Sequence, residues 1–202
     1  MKRLGILLSG RGSNFVAIAE AIREGRLAGA EIAVILSNLP EAVGLRVAGK
    51  MGLPAMVVPS TGRKRAEHEA EMIAALRQHR VDLVCLAGYM RILSAEFVRT
   101  FPDRILNVHP SLLPAFPGLD AQAQALQYGA KVAGCTVHFV DEAVDHGAIV
   151  VQRAVPVLDE DTVESLATRI LEQEHIAYPE AIARVVGGEY GFKGRRYVRL
   201  RE

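Results

Sequence analysis

Hydrophobic positions in the first hundred residues fall in short runs separated by longer polar-apolar segments. The apolar run Leu4 to Leu8 ends at "SGRGSN" and is followed by "FVAIAEAIREG", which predicts a strand, a glycine loop and a helix. "EIAVILSN" predicts a second strand ending at Asn38, and "EAVGLRVAGKMG" a helix closed by Gly52. "PAMVV" reads as a third, short strand. In "KRAEHEAEMIAALRQH" the apolar residues Met72, Ile73 and Leu76 recur at helical spacing. "VDLVCLAG" is apolar on both faces, the mark of a central parallel strand. Alternation of this kind predicts an α/β fold, a three-layer sandwich around a mostly parallel, Rossmann-like sheet with right-handed crossovers.

After Gly118 the pattern changes. "VAGCTVHFV" and "GAIVVQRAVPV" read as strands joined by the tight stretch "DEAVDHG", a spacing that favours an antiparallel pair and makes the sheet mixed in its C-terminal half. "TVESLATRILEQEHIAYPEAIARVVGG" predicts a long helix with Thr162 as N-cap and Glu164 and Ser165 in the first turn. Pro179 inside it predicts a bend near His175, and the basic tail "FKGRRYVRLRE" a short hairpin. No linker, repeat or low-complexity stretch interrupts the chain, so residues 1–202 are expected to form a single domain.

Composition narrows the function classes. Half of the 202 residues are hydrophobic, enough for one good core. With 24 basic and 23 acidic residues the net charge is +1, which supplies no field for nucleic acid or a membrane surface. No segment approaches the roughly 20 apolar residues of a membrane span, and the apolar run after "MKR" is too short for a signal peptide. Cys85 and Cys135 sit in apolar surroundings outside any C-x-x-C pair, as reduced core cysteines of a cytoplasmic protein do. No metal-binding spacing is visible.

Four places carry candidate chemistry. "SGRGSNF" lacks the third glycine of a dinucleotide fingerprint, Phe15 standing there, and Ser37-Asn38 at the end of the second strand offers no acid for a ribose. It also lacks the G-K-[ST] ending of a P-loop. What remains is either a plain tight turn or a loop whose N–H groups, with Ser13, Asn14 and the charges of Arg11 and Arg65, suit one phosphate monoester. In "ILNVHPSLLPAFPG", side chains two apart share a strand face, so Asn107 and His109 project together at the end of a strand that Pro110 terminates. The proline-rich turn would hold that end in place. Asp145 in "DEAVDHGAIV" is either a solvated hairpin residue or a third member of the group. Glu174 continues the apolar helical stripe Val163, Leu166, Ile170, so its carboxylate needs a partner, a core base or a ligand cation.

"LLSGRGSN", "LAGYMRILS", "NVHPSLLPAFPG" and "TVHFVDEAVDHGAIVVQ", in this order and spacing, resemble the phosphoribosylglycinamide formyltransferases, folate-dependent enzymes of purine synthesis. The resemblance runs from about Lys2 to Val186. It implies that the N-terminal half, about 1–100, binds the phosphate of glycinamide ribonucleotide through Arg11, Gly12, Ser13, Asn14 and Arg65. Glu174 matches the carboxylate that meets that substrate's amine end. The C-terminal half, about 101–190, is expected to bind folate and carry the chemistry. Asn107, His109 and Asp145 match the catalytic three. Met90, Arg91, Ile92, Leu93, Val98, Asn107, His138, Val140, Asp141 and Val144 match the surroundings of the folate. The implied co-substrate is 10-formyltetrahydrofolate, with no metal. The oligomeric state stays open between monomer and homodimer.

Ala115, the stretch "PGLDAQAQAL", His146 and Ala148 depart from common versions of the pattern, near the pocket rim rather than the chemistry. Among rivals, methionyl-tRNA formyltransferase is expected to need a further C-terminal domain, and formyltetrahydrofolate hydrolase a domain before "LLSGRGSN". That motif begins near residue 7 and the sequence stops at 202, so both fit poorly. A non-catalytic nucleotide- or folate-binding module would have no use for Asn107, His109 and Asp145 together.

Overall fold

The computed structural model describes residues 1–200. Two compact units divide it, Met1–Leu106 and Asn107–Glu202. In the first, β1 (Lys2–Leu8), β2 (Ala30–Ser37), β3 (Ala55–Val57) and β4 (Leu83–Leu86) alternate with α1 (Ser13–Arg23), α2 (Val43–Lys50), α3 (Arg65–Gln78) and α4 (Ala95–Thr100). Strand β5 (Ile105–His109) straddles the division. The second unit adds α5 (Ala121–Tyr128), β6 (Val132–Phe139), β7 (Ile149–Pro156), α6 (Val163–Val186), β8 (Tyr190–Lys193) and β9 (Arg196–Arg199).

The larger sheet has the order β3-β2-β1-β4-β5-β6-β7. Pairing is parallel for β1 with β2 and β4 and for β2 with β3, and antiparallel for β6 with β7. This is the mostly parallel, then mixed, α/β sheet that the hydrophobic pattern implies. In the first unit the chain steps from β1 outward to β3 and then returns to the other side of β1 as β4. The loops after β1 and β4 therefore leave at a topological switch point, the place where open α/β sheets bind ligands. All four residues of β4 are buried, as its apolar character on both faces requires.

Two short helices, α4 and α5, were not evident in the hydrophobic pattern: α4 has only six residues, and in α5 the run AQAQ alternates alanine and glutamine with a period of two rather than a helical one. Ser94 caps α4 by accepting a hydrogen bond from Phe97 N (3.1 Å). Helix α6 runs as one element through Pro179, and Leu166, Ile170, Glu174, Ala177 and Tyr178 form its buried stripe. Val163, expected on that stripe, lies in the first turn and stays exposed. The tail forms the expected hairpin, β8 pairing antiparallel with β9.

The start of α6 is closed by a reciprocal cap. Thr162 Oγ1 accepts from Ser165 N (3.2 Å), and Ser165 Oγ accepts from Thr162 N (3.0 Å). Asp161, beside it, is held by Arg169 at 2.7 and 2.8 Å, and these bonds keep its carboxyl well below the usual carboxylate range. Thr162→Ala is expected to lower stability by about 1 kcal/mol, because it orphans a first-turn N–H. Urea unfolding checks this: the midpoint should fall while the slope stays unchanged.

Candidate active site

In the first unit, β1 ends at Leu8 and the chain turns through Ser9–Gly12 into α1. Gly12 is the N-cap residue at φ +74°, a conformation favourable only to glycine, and an added Cβ would stand 2.6 Å from the Phe15 ring. With glycine at the cap, no side chain closes the helix, and its first-turn N–H groups form a site suited to an anion. The loop is steadied from α2, whose Gly44 N donates to Gly10 O at 3.0 Å. Arg11 is exposed in the loop, Ser13 half-buried and Asn14 buried. Arg65 stands exposed at the first position of α3, which follows the parallel strand β3.

The stretch after β4 is fixed at both ends. Met90 N donates to Ser9 Oγ at 2.9 Å, and Ser9 Oγ in turn donates to Asn38 Oδ1 at 2.6 Å. At the far end, Ser94 donates through both its N (2.9 Å) and its hydroxyl to the buried carboxylate of Glu69 on α3. Between these anchors, Met90 and Ile92 are 75% and 63% exposed, an apolar surface held rigid without being buried. Arg91 is exposed, Leu93 half-buried, and Val98 buried on α4.

In the second unit the sequence-predicted group comes together. His109 Nδ1 lies 3.3 Å from Asp145 Oδ2, and His109 Nε2 lies 2.9 Å from the carbonyl oxygen of Phe116. Both ring nitrogens thus face acceptors. His138 joins the group: its Nδ1 donates to Phe139 O (2.8 Å), which leaves Nε2 as an acceptor for the Asn107 amide at 3.3 Å. Burial holds His138 below the usual histidine range, against the raising effects of the Phe139 carbonyl and Asp145. Its Nε2 is 3.7 Å from Asp145 Oδ1. Asp145 itself adopts φ +50° and accepts a hydrogen bond from Gly118 N at 2.8 Å. Its side chain is only 11% exposed, so it is not a solvated hairpin residue.

The turn between β5 and α5 supplies two of these partners, Phe116 O and Gly118 N. Its stiffness comes from more than its prolines. Thr136 Oγ1 donates to Ser111 O (2.7 Å) and accepts from Leu113 N (3.0 Å), while Gln152 Nε2 donates to Leu113 O (2.9 Å). Thr136 and Gln152 are cross-strand neighbours on β6 and β7. The sequence marked the turn as a clamp. It did not reveal that backbone atoms of the turn are themselves site members.

Around this centre, Val140 and Asp141 are half-buried and Val144 is 54% exposed. Glu174 is buried on α6, and its charge adds to burial in pushing the Cys135 thiol up to about 12. Cys135 therefore stays a protonated core thiol. Cys85 is buried as well. Among the described residues, no group of three or more His, Cys, Asp and Glu could hold a metal ion, and no helix is long and apolar enough to cross a membrane.

The chain belongs to the formyl transferase family, whose model matches residues 2–182. It is 40% identical over 188 residues to the phosphoribosylglycinamide formyltransferase of Bacillus subtilis (strain 168), covering 93% of this chain and 96% of that protein. It is 48% identical over 189 residues to the trifunctional purine biosynthetic protein adenosine-3 of Drosophila melanogaster, where it spans 93% of this chain but only 14% of the relative's length. Among solved structures it is similar to glycinamide ribonucleotide transformylase 1 from Symbiobacterium toebii, with a TM-score of 0.96, 50% identity, and 100% and 95% of the two chains covered.

The hydrogen-bond pattern fixes the tautomer of His138. Long-range nitrogen–proton NMR should show the proton of the neutral ring on Nδ1, and His138 should take up its second proton at lower pH than an exposed histidine does. Because its folded value is lowered, His138 makes the fold less stable as pH falls below about 6.5, the unfolded value. A neutral His138 ring protonated on Nε2, or one that titrates at or above an exposed histidine, would contradict the assignment.

Proposed function

We propose that the chain transfers the formyl group of 10-formyltetrahydrofolate to the amine of glycinamide ribonucleotide, giving formylglycinamide ribonucleotide and tetrahydrofolate in purine synthesis. The observation that carries this reading is the meeting of Asn107, His109 and Asp145 around a neutral His138, in a chain of the formyl transferase family.

The amine nitrogen attacks the formyl carbon, and the carbonyl electron pair moves onto oxygen to give a tetrahedral oxyanion that needs donors aimed at it. One hydrogen of the Asn107 amide points to His138 Nε2, which orients the group and leaves its second hydrogen for the oxyanion. His109 directs both nitrogens at acceptors, so when protonated it contributes positive charge beside Asp145 rather than an unoccupied donor. Asp145 orients His109 and a water that carries the amine proton to the departing folate nitrogen. No covalent enzyme intermediate is required, which suits a Cys135 thiol locked in its protonated form.

Substrate roles follow residue by residue. The first-turn amides at Gly12, Ser13 and Asn14, with the charges of Arg11 and Arg65, take the phosphate. Glu174 takes the amine end of the nucleotide. Met90, Arg91, Ile92, Leu93, Val98, Asn107, His138, Val140, Asp141 and Val144 serve the folate, whose flat heterocycle suits rigid apolar surface. No metal is assigned a step, and the place of action is the cytoplasm.

Absorbance of the folate product, followed with and without glycinamide ribonucleotide, tests the reading. Turnover that needs the nucleotide supports transfer; equal turnover without it, with formate released, would make the chain a hydrolase. Glu174→Gln should raise KM for the nucleotide and leave KM for the folate unchanged; the reverse pattern would remove Glu174 from this role. Asparagine tolerates the left-handed backbone at position 145, so Asp145→Asn should preserve the fold and lower kcat by at least ~100-fold. His109→Ala should lose activity comparably, and the double variant far less than the product of the two losses, because the residues act as a unit. Full multiplicativity would show that they work separately.

A further inference from the structure

The segment that carries Asp145 is braced by the C-terminal hairpin. We propose, on the formyl-transfer reading above, that β8–β9 holds this segment in its catalytic geometry and that Arg195, in the hairpin turn, is the positioning residue.

The segment spans residues 140–148, between β6 and β7. Its base is closed by a hydrogen bond from Phe139 N to Ala148 O (2.8 Å). Gly147 lies so close that an added Cβ would be 1.8 Å from Phe139 O. The buried Phe139 ring is where the hairpin attaches: Phe192 and Tyr197 pack on it with centroids at 4.9 and 5.0 Å. Tyr190 stacks on Tyr197 at 6.0 Å, and the Arg184 guanidinium of α6 lies 5.3 Å from the Tyr190 centroid. The hairpin is therefore fixed between the long helix and the root of the segment.

From this platform Arg195 reaches His146, the residue after Asp145. One guanidinium nitrogen donates to the His146 carbonyl; the other lies 2.8 Å from Nε2 and 3.3 Å from Nδ1 of the ring. The far side of the ring is held too, with His146 Nδ1 2.8 Å from Asp141 Oδ2, while Asp141 Oδ1 accepts from Ala143 N at 2.9 Å. An arginine only donates, so His146 serves as the neutral acceptor between a cation and a carboxylate. Exposed ion contacts contribute little stability by themselves. Here the aromatic contacts supply the anchoring and Arg195 sets orientation. That orientation matters because Asp145 sits at φ +50°, a left-handed conformation that aspartate can adopt but does not prefer, so its neighbours decide whether it is kept.

Arg195→Ala is expected to leave the fold intact, speed amide hydrogen exchange at residues 141–146, lower kcat about tenfold and raise KM for the folate, with KM for the nucleotide unchanged. Arg195→Lys should recover part of both losses. Arg199→Ala, which removes an exposed pair with Glu189 on the same hairpin, should alter neither. Wild-type exchange at 141–146 together with wild-type kinetics in Arg195→Ala would overturn the proposal. So would a loss confined to KM for the nucleotide, or an Arg199→Ala effect equal to that of Arg195→Ala. Exchange is measured without substrates. Absence of formyl transfer in the wild type would thus overturn the assigned reaction, while the brace would still stand or fall on residues 141–146.

Discussion

A carboxylate with little access to water must be met by donors, and Asp145 is such a carboxylate. Oδ2 receives the Gly118 N–H and faces His109 Nδ1, while Oδ1 lies 3.7 Å from the unprotonated Nε2 of His138, a neighbour rather than a donor. Each of these partners depends on something else being in place. Gly118 requires the proline-rich turn, which Thr136 and Gln152 tie to β6 and β7. His138 requires the Phe139 carbonyl to fix its tautomer, and through Nε2 it aims the Asn107 amide. Satisfying one largely buried charge thus organises the turn, the strands and the side chains around it together.

The first unit solves a different problem, presenting open surface without letting it move. Around Ser9, side-chain bonds run to Asn38 and on to Ser60, while the same hydroxyl holds Met90 N. Glu69 plays the matching part at Ser94, where the buried carboxylate is satisfied by two donors of one residue. Buried polar groups bonded this fully favour a single arrangement over close alternatives. They allow Met90 and Ile92 to stay exposed at fixed positions, and that pre-ordering reduces the entropy lost when a ligand is bound.

Much of this was legible along the chain. The strands and helices α1, α2, α3 and α6 follow from hydrophobic pattern, and the cap at Thr162 from residue type. Asn107, His109 and Asp145 were marked by spacing and by the motifs around them, and Glu174 by its place on an apolar stripe that proved buried. Helix α4 escaped notice because six residues are too few to show a period, and α5 because its alanines and glutamines alternate. Val163 kept the right spacing but lies where α6 has only begun to meet the protein, so it stays exposed.

Local order and chemical inventory are properties of neighbouring residues, and the sequence alone determines them here: which segments are strands, where the glycine turn opens a helix, which side chains can donate or hold charge. Tertiary structure decided who meets whom. Asn107 finds His138 across 31 positions, Gly118 finds Asp145 across 27, and Arg195 finds His146 across 49. No periodicity encodes such pairs. They arise because strand pairing and the packing of the aromatic hairpin bring distant backbone together, and because a buried charge or lone pair then takes whichever partner lies within hydrogen-bond reach.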